Sequence, residues 1–121
     1  YSQDDGIEST EHNADEGLRM TPTARTMAKL RKEGWLPAIV EKRNPVTRTL
    51  NDLYGFIDVI AIRDGETLAV QTTSTSNFTS RVKKITDHEN VAAVRKAGWG
   101  IHVHGWSKVG RFWKCRVQDL S

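Results

Sequence analysis

"GFIDVIAIRDGETLAVQTTSTSN", residues 55–77, is the stretch that decides the fold. Two runs of mostly β-branched and aliphatic residues, "FIDVIAI" (56–62) and "TLAVQTT" (67–73), flank Asp64-Gly65. Asp-Gly between apolar runs is the strongest short hairpin signal, because a two-residue turn of this kind needs positive φ at both positions. With that loop Arg63 pairs with Glu66, every opposed pair of residue numbers sums to 129, and Asp58 faces Gln71. Directly opposed side chains have Cβ atoms roughly 4.5–5.5 Å apart on one face of the sheet. Thr73, two residues beyond Gln71, points to the same face. A carboxylate, an amide and a hydroxyl therefore converge in strands otherwise suited to burial. An acid is kept in such a place only when it is paired or holds a ligand; pairing with an arginine such as Arg48 is the plain alternative.

The flanking sequence reads outward from this hairpin. Thr21-Pro22 is a helix start, with Thr as N-cap and Pro at the first helical position. Ala24, Met27, Ala28 and Leu30 follow at helical spacing, and Gly34 ends the helix. Arg25, Lys29 and Lys32 form a basic stripe, either a solvated face or a phosphate-contacting one. "WLPAIVEK" (35–42) reads as a first strand, and "RNPVTRTLNDLYG" (43–55) as a long polar loop of the kind that is usually functional or disordered. Asp52 within it reads as a loop acid or turn cap. After the hairpin come a loop, "STSNF", and two helices, "TSRVKKIT" (79–86) and "DHENVAAVRKAG" (87–98), the second capped by Asp87 and stopped by Gly98. "WGIHVHGW" (99–106) and "RFWKCRV" (111–117) are the last strands. Trp99, Ile101 and Val103 share a face of the first; Trp113, Cys115 and Val117 share a face of the second. His102 and His104 alternate on a polar face with no third ligand near in sequence, and Trp99 and Trp106 read as core or rim residues rather than base-stacking platforms. The order α-β-β-β-α-β-β indicates an α/β fold, a mixed sheet flanked by helices.

The chain of 121 residues, 37% apolar and 27% charged, suits one soluble domain. No apolar run approaches the roughly 20 residues that span a membrane. No leader pattern is present, and the single Cys115 can form no internal disulfide, so a cytoplasmic setting is expected. Residues 1–20 hold six acids and one base; they read as a disordered tail that could contact another protein or domain. Residues 21–121 read as the single folded domain and hold 17 bases against 9 acids, a net of +8. That balance favours an anionic partner such as DNA.

The element order and the hairpin residues resemble the PD-(D/E)XK nuclease superfamily, and within it the Holliday junction resolvase-like branch, which includes small phage-encoded members. Asp58 in "GFIDVIAI" stands at the motif acid. "VQTTS" (70–74) stands at the E-x-K tripeptide, with Gln71 at the acid position and Thr73 at the lysine position. The resemblance implies a restriction-endonuclease-like fold, Mg²⁺ or Mn²⁺ as cofactor, phosphodiester hydrolysis in DNA, and a homodimer. It implies Asp58 as main metal ligand, Gln71 as second ligand and Thr73 as a group orienting water. Gln71 brings no charge and Thr73 no cation, so helpers are expected: Glu41 as a second acid, and Lys42, or Lys83 and Lys84, as the substitute cation. Arg25, Lys29, Lys32, Arg43, Arg48 and Lys84 are the expected DNA contacts. Two further readings stand beside the nuclease: a catalytically silent DNA-binding or scaffold module on the same fold, and a protein-interaction domain that works through its acidic tail.

Overall fold

The computed structural model describes residues 20–121. The expected disorder of the acidic tail, and its contact with a partner, lie outside the described residues. Helix α1 spans Pro22–Lys32, and the Thr21 hydroxyl caps it by accepting from the Ala24 N–H at 3.1 Å. Strand β1 (Leu36–Ile39), a small hairpin of β2 (Lys42–Asn44) and β3 (Thr49–Asn51), and the long hairpin of β4 (Val59–Arg63) and β5 (Glu66–Ser74) follow. A 3₁₀ turn over Thr75–Asn77 leads into α2 (Phe78–Thr86) and α3 (Val91–Lys96). Strands β6 (Gly100–Val109) and β7 (Phe112–Asp119) complete the chain.

The main sheet has five strands in the order β1-β4-β5-β6-β7. Only β5 and β6 run parallel; the other neighbours are antiparallel. A parallel pair needs a crossover, and α2 with α3 supplies it. The central hairpin has the expected register, with Arg63 opposite Glu66 and Val59 opposite Val70, and both turn residues at positive φ (Asp64 50°, Gly65 81°).

Alternation along the strands builds a core on each face. Val59, Ala61, Leu68 and Val70 meet Met27 and Leu30 of α1. Ala69, Ile101 and Val103 meet Phe78 and Ile85 of α2 and Val91 and Val94 of α3, with Phe56 and Ile57 beside them. Gly105 lets α2 press against β6: a Cβ there would lie 2.4 Å from the Phe78 ring. The α/β mixed sheet with flanking helices is thus the architecture the element order indicates.

Three local expectations change. The 43–55 loop contains the β2–β3 hairpin, because Asn44 makes its own turn. Its side-chain oxygen accepts from Val46 N (2.9 Å) and Thr47 N (3.3 Å), and its carbonyl accepts from Arg48 N (2.8 Å). The first strand stops at Ile39 instead of running to Lys42, so Val40 and Glu41 form a junction, held where Val40 N donates to the Asp58 carbonyl at 2.9 Å. Asp87 closes α2 as its C-cap and does not open α3, which begins after Asn90. Among the described residues no helix is long and apolar enough to cross a membrane.

Candidate metal centre

Asp58 sits immediately before β4 and is buried. Its Oδ2 accepts from Thr72 N (2.8 Å), from Gln71 Nε2 (2.9 Å) and from the Thr72 hydroxyl (3.3 Å). The carboxylate is therefore locked in one orientation by the strand it faces. Gln71 Nε2 also donates to Asp52 Oδ2 at 3.4 Å, so one amide spans two acids.

A third acid completes the group. Carboxylate oxygens of Glu41, Asp52 and Asp58 lie within 4.8 Å of one another. Each comes from an irregular segment at the same end of the sheet: the β1–β2 junction, the turn after β3, and the entry to β4. The acids line a cavity of about 600 Å³ with Thr23, Gln71, Thr72 and Arg81. The Thr23 and Thr72 hydroxyls, 2.9 Å apart, tie the start of α1 to this wall. Lys84 Nζ reaches to 3.7 Å from Asp52 Oδ2. Burial raises the Asp52 pKa to about 6; its hydrogen bond with Asp58 and that neighbour's charge add to the rise, while Gln71 and Lys84 oppose it. Packed carboxylates with one weakly acidic member are a charge arrangement that a divalent cation relieves.

The donor set fits a hard cation. Mg²⁺ and Mn²⁺ prefer oxygen ligands, and three carboxylates provide them. Gln71 Oε1 is buried and has no hydrogen-bond partner. Turning the amide over would present that oxygen to a cation in place of the N–H groups that now bridge the acids.

The expected site residues separate into groups. Asp58, Gln71 and Glu41 come together as read. Thr73 is buried in β5 and does not line the cavity; the hydroxyl beside Asp58 belongs to Thr72. Among the candidate lysines, Lys84 meets the acids. Lys83 is exposed and pairs with Asp87 one turn on (2.8 Å), and Lys42 is exposed on β2. Arg43 and Arg48 are exposed on the small hairpin. Arg25 leaves the surface stripe: it is 1% exposed, with its guanidinium 3.8 Å from the Trp113 ring centroid, because β7 covers that side of α1. Lys29 and Lys32 are half-buried.

Two residues of the cavity were not expected there: Asp52, read as a loop acid or turn cap, and Arg81. Asp52 lies in the long segment read as either functional or disordered; nothing local distinguishes Arg81 on α2. His102 and His104 do not form a metal pair. His104 is buried, with Nδ1 3.2 Å from the Thr26 hydroxyl, and burial lowers its pKa to about 3, with smaller contributions from the charges of Lys29 and His102. His102 turns toward Asp119 (3.7 Å). No family model, curated protein or solved structure matches the chain.

Proposed function

We propose that the protein is a divalent-metal-dependent deoxyribonuclease of the PD-(D/E)XK type. The observation that carries this reading is the convergence of Glu41, Asp52 and Asp58 in one cavity, with Arg81 at its wall and Lys84 within 3.7 Å of Asp52. Asp58, Asp52 and Glu41 would hold Mg²⁺ or Mn²⁺, with Gln71 as a neutral fourth ligand. A bound divalent ion supplies charge stabilisation and a more acidic water for attack on phosphorus. The chain's own residues provide the rest. Thr72 fixes the Asp58 carboxylate through its N–H and hydroxyl, Lys84 balances the excess negative charge at Asp52, and Arg81 offers a guanidinium to a phosphate entering the cavity. The basic balance of residues 21–121 suits a DNA partner. The homodimer implied by the resolvase-like resemblance belongs to the same reading.

One observation favours the silent DNA-binding module as the second reading. The Gln71 amide donates to both Asp58 and Asp52, an arrangement that gives the two acids a shared hydrogen-bond donor without a metal. Supercoiled plasmid incubated with Mg²⁺ or Mn²⁺ separates the two. The nuclease nicks it, and Asp58→Ala abolishes nicking. The silent module leaves the plasmid intact while still binding it, and Gln71→Glu, by adding a carboxylate, brings cleavage up from nothing. Neither cleavage nor binding by any of the three proteins would end both readings and leave the protein-interaction domain.

A further inference from the structure

The turn that carries Asp52 also carries an aromatic platform. Gly55 N donates to the Asp52 carbonyl at 3.0 Å, closing a β-turn, and Leu53 and Ile57 bridge behind it. Tyr54, at the third position, has φ of 55°. A bulky side chain rarely adopts this left-handed conformation, which favours Gly or Asn. The surroundings hold it there. Asn90 Nδ2 donates to the Tyr54 carbonyl at 3.0 Å. Gly55 backs onto His88 so closely that a Cβ would lie 2.4 Å from its Nε2. Tyr54 is 52% exposed, and its ring tilts against Trp99 with ring centroids 6.1 Å apart. Together they border a concavity of about 300 Å³ floored by Ala93 and Val94 of α3 and by Ala97 at its C-cap, with Asn90 at its edge.

We infer that this concavity stacks an unpaired nucleobase of a single strand whose backbone passes the carboxylates. Two aromatic rings and an aliphatic floor offer a π-face to any base. The Asn90 amide, whose N–H is already used, has its oxygen left to accept from an exocyclic amino group. The backbone from Asp52 to Tyr54 spans at most about 7 Å, so a base one or two nucleotides from a phosphate at the acids comes within reach of the ring. The preferred substrate then contains unpaired nucleotides, as in a single strand, flap or branch. The placement of the phosphate rests on the proposed nuclease reading; the stacking itself needs no metal.

The experiment uses a single-stranded oligonucleotide carrying 2-aminopurine, titrated with the protein in EDTA, where fluorescence quenching reports stacking. The variants are Tyr54→Gly, Asn90→Ala and Asp58→Ala. Glycine is at ease at the φ of Tyr54, so Tyr54→Gly keeps or raises the melting temperature and separates lost stacking from lost folding. The expected result is quenching by wild type and Asp58→Ala, loss of quenching with about tenfold weaker binding in Tyr54→Gly, and weaker binding in Asn90→Ala. Unchanged affinity in Tyr54→Gly overturns the inference, as does a blunt duplex of equal length that binds as tightly as the single strand. If Tyr54-dependent quenching holds while no metal ion supports cleavage, the nuclease reading falls and the base-binding site stands.

Discussion

Among the described residues, Asp52 and His104 are those whose ionisation the fold works against, and each makes a measurable prediction. The Asp52 carboxyl has a folded pKa of about 6 against an ordinary 3.8, so the stability it lends is present in full below pH 3.8, falls as the pH rises from there to about 6, and is gone above that. At pH 8 in EDTA, Asp52→Asn is expected to be more stable than wild type, by on the order of 1–3 kcal/mol, a gain of the kind that strained sites commonly yield. Excess Mn²⁺ should reverse the order. Wild type gains stability by mass action, while Asp52→Asn and Asp58→Ala gain little. Thermal melts with and without the ion check this, and equal Mn²⁺ shifts in all three proteins would remove these acids from a metal site.

His104 works in the opposite direction. Burial holds it neutral down to about pH 3, whereas in the unfolded chain it protonates near 6.5. Its contribution is present in full above pH 6.5 and is lost as the pH falls from there toward 3. The slope is about 1.4 kcal/mol per pH unit, or ~2 kcal/mol by pH 5. Urea denaturation at pH 7 and pH 5 should show this loss in wild type and a smaller one in His104→Gln. Identical pH dependence in the two proteins would contradict the burial of a neutral imidazole beside Thr26.

At the scale of elements, the contact between α2 and β6 sets the position of Arg81 in the cavity wall and of Lys84 beside Asp52. Phe78 lies against the bare backbone of Gly105, and both are buried. The ring, packed on all sides, cannot swing away, so Gly105→Ala forces α2 outward. Overpacking of this sort typically costs about 1–3 kcal/mol. We expect a lower denaturation midpoint in Gly105→Ala, and the displaced helix should also weaken metal binding measured by calorimetry. Wild-type stability in this variant would mean that the helix does not sit this close to β6. The elements themselves follow from local chemistry to differing degrees. Asp64-Gly65 and Thr21-Pro22 speak within two residues, so the hairpin and the start of α1 were legible. The β2–β3 hairpin was not, because its turn depends on the Asn44 side chain bonding to backbone N–H groups two and three residues on. The end of β1 was not legible either: Val40 and Glu41 continue a strand-like pattern, and the Val40 hydrogen bond to Asp58 is made across the sheet.

For the whole molecule, charge is the property that reaches furthest. The domain from residue 21 onward carries a net +8, and Lys42, Arg43 and Arg48 are exposed on one small hairpin that also ends near the acids. If DNA lies across this hairpin, each phosphate neutralised adds about −0.9 to the slope of log affinity against log salt. Changing all three to Ala should flatten that slope by up to about 2.7, whereas removing residues 1–20, with their six acids, should leave affinity unchanged or raise it. Fluorescence anisotropy over a salt series checks both, and an unchanged slope in the triple variant would place the DNA on another face.

The sequence by itself determined the hairpin register from Val59 to Val70, the meeting of the Asp58 and Gln71 side chains, the succession of the main helices and the five strands of the large sheet, and the separation of an acidic first segment from a basic remainder. These are short-range or additive properties: a two-residue turn imposes its pairing on both strands, and charges sum without regard to fold. Only the tertiary structure decided which other groups meet Asp58. Glu41 and Asp52 lie on segments without periodicity, and they are brought to Asp58 by β1 and β3 ending at the same edge of the molecule. The hydroxyl at the site is that of Thr72 and not Thr73, because the Asp58 backbone leaves the ladder, its N–H donating to the Val70 carbonyl, and its carboxylate reaches the Thr72 backbone N–H. Arg25, in a stripe that reads as surface, is buried because β7, from the far end of the chain, folds over it. Which side chains share a cavity depends on contacts between distant segments, and no local pattern carries that information.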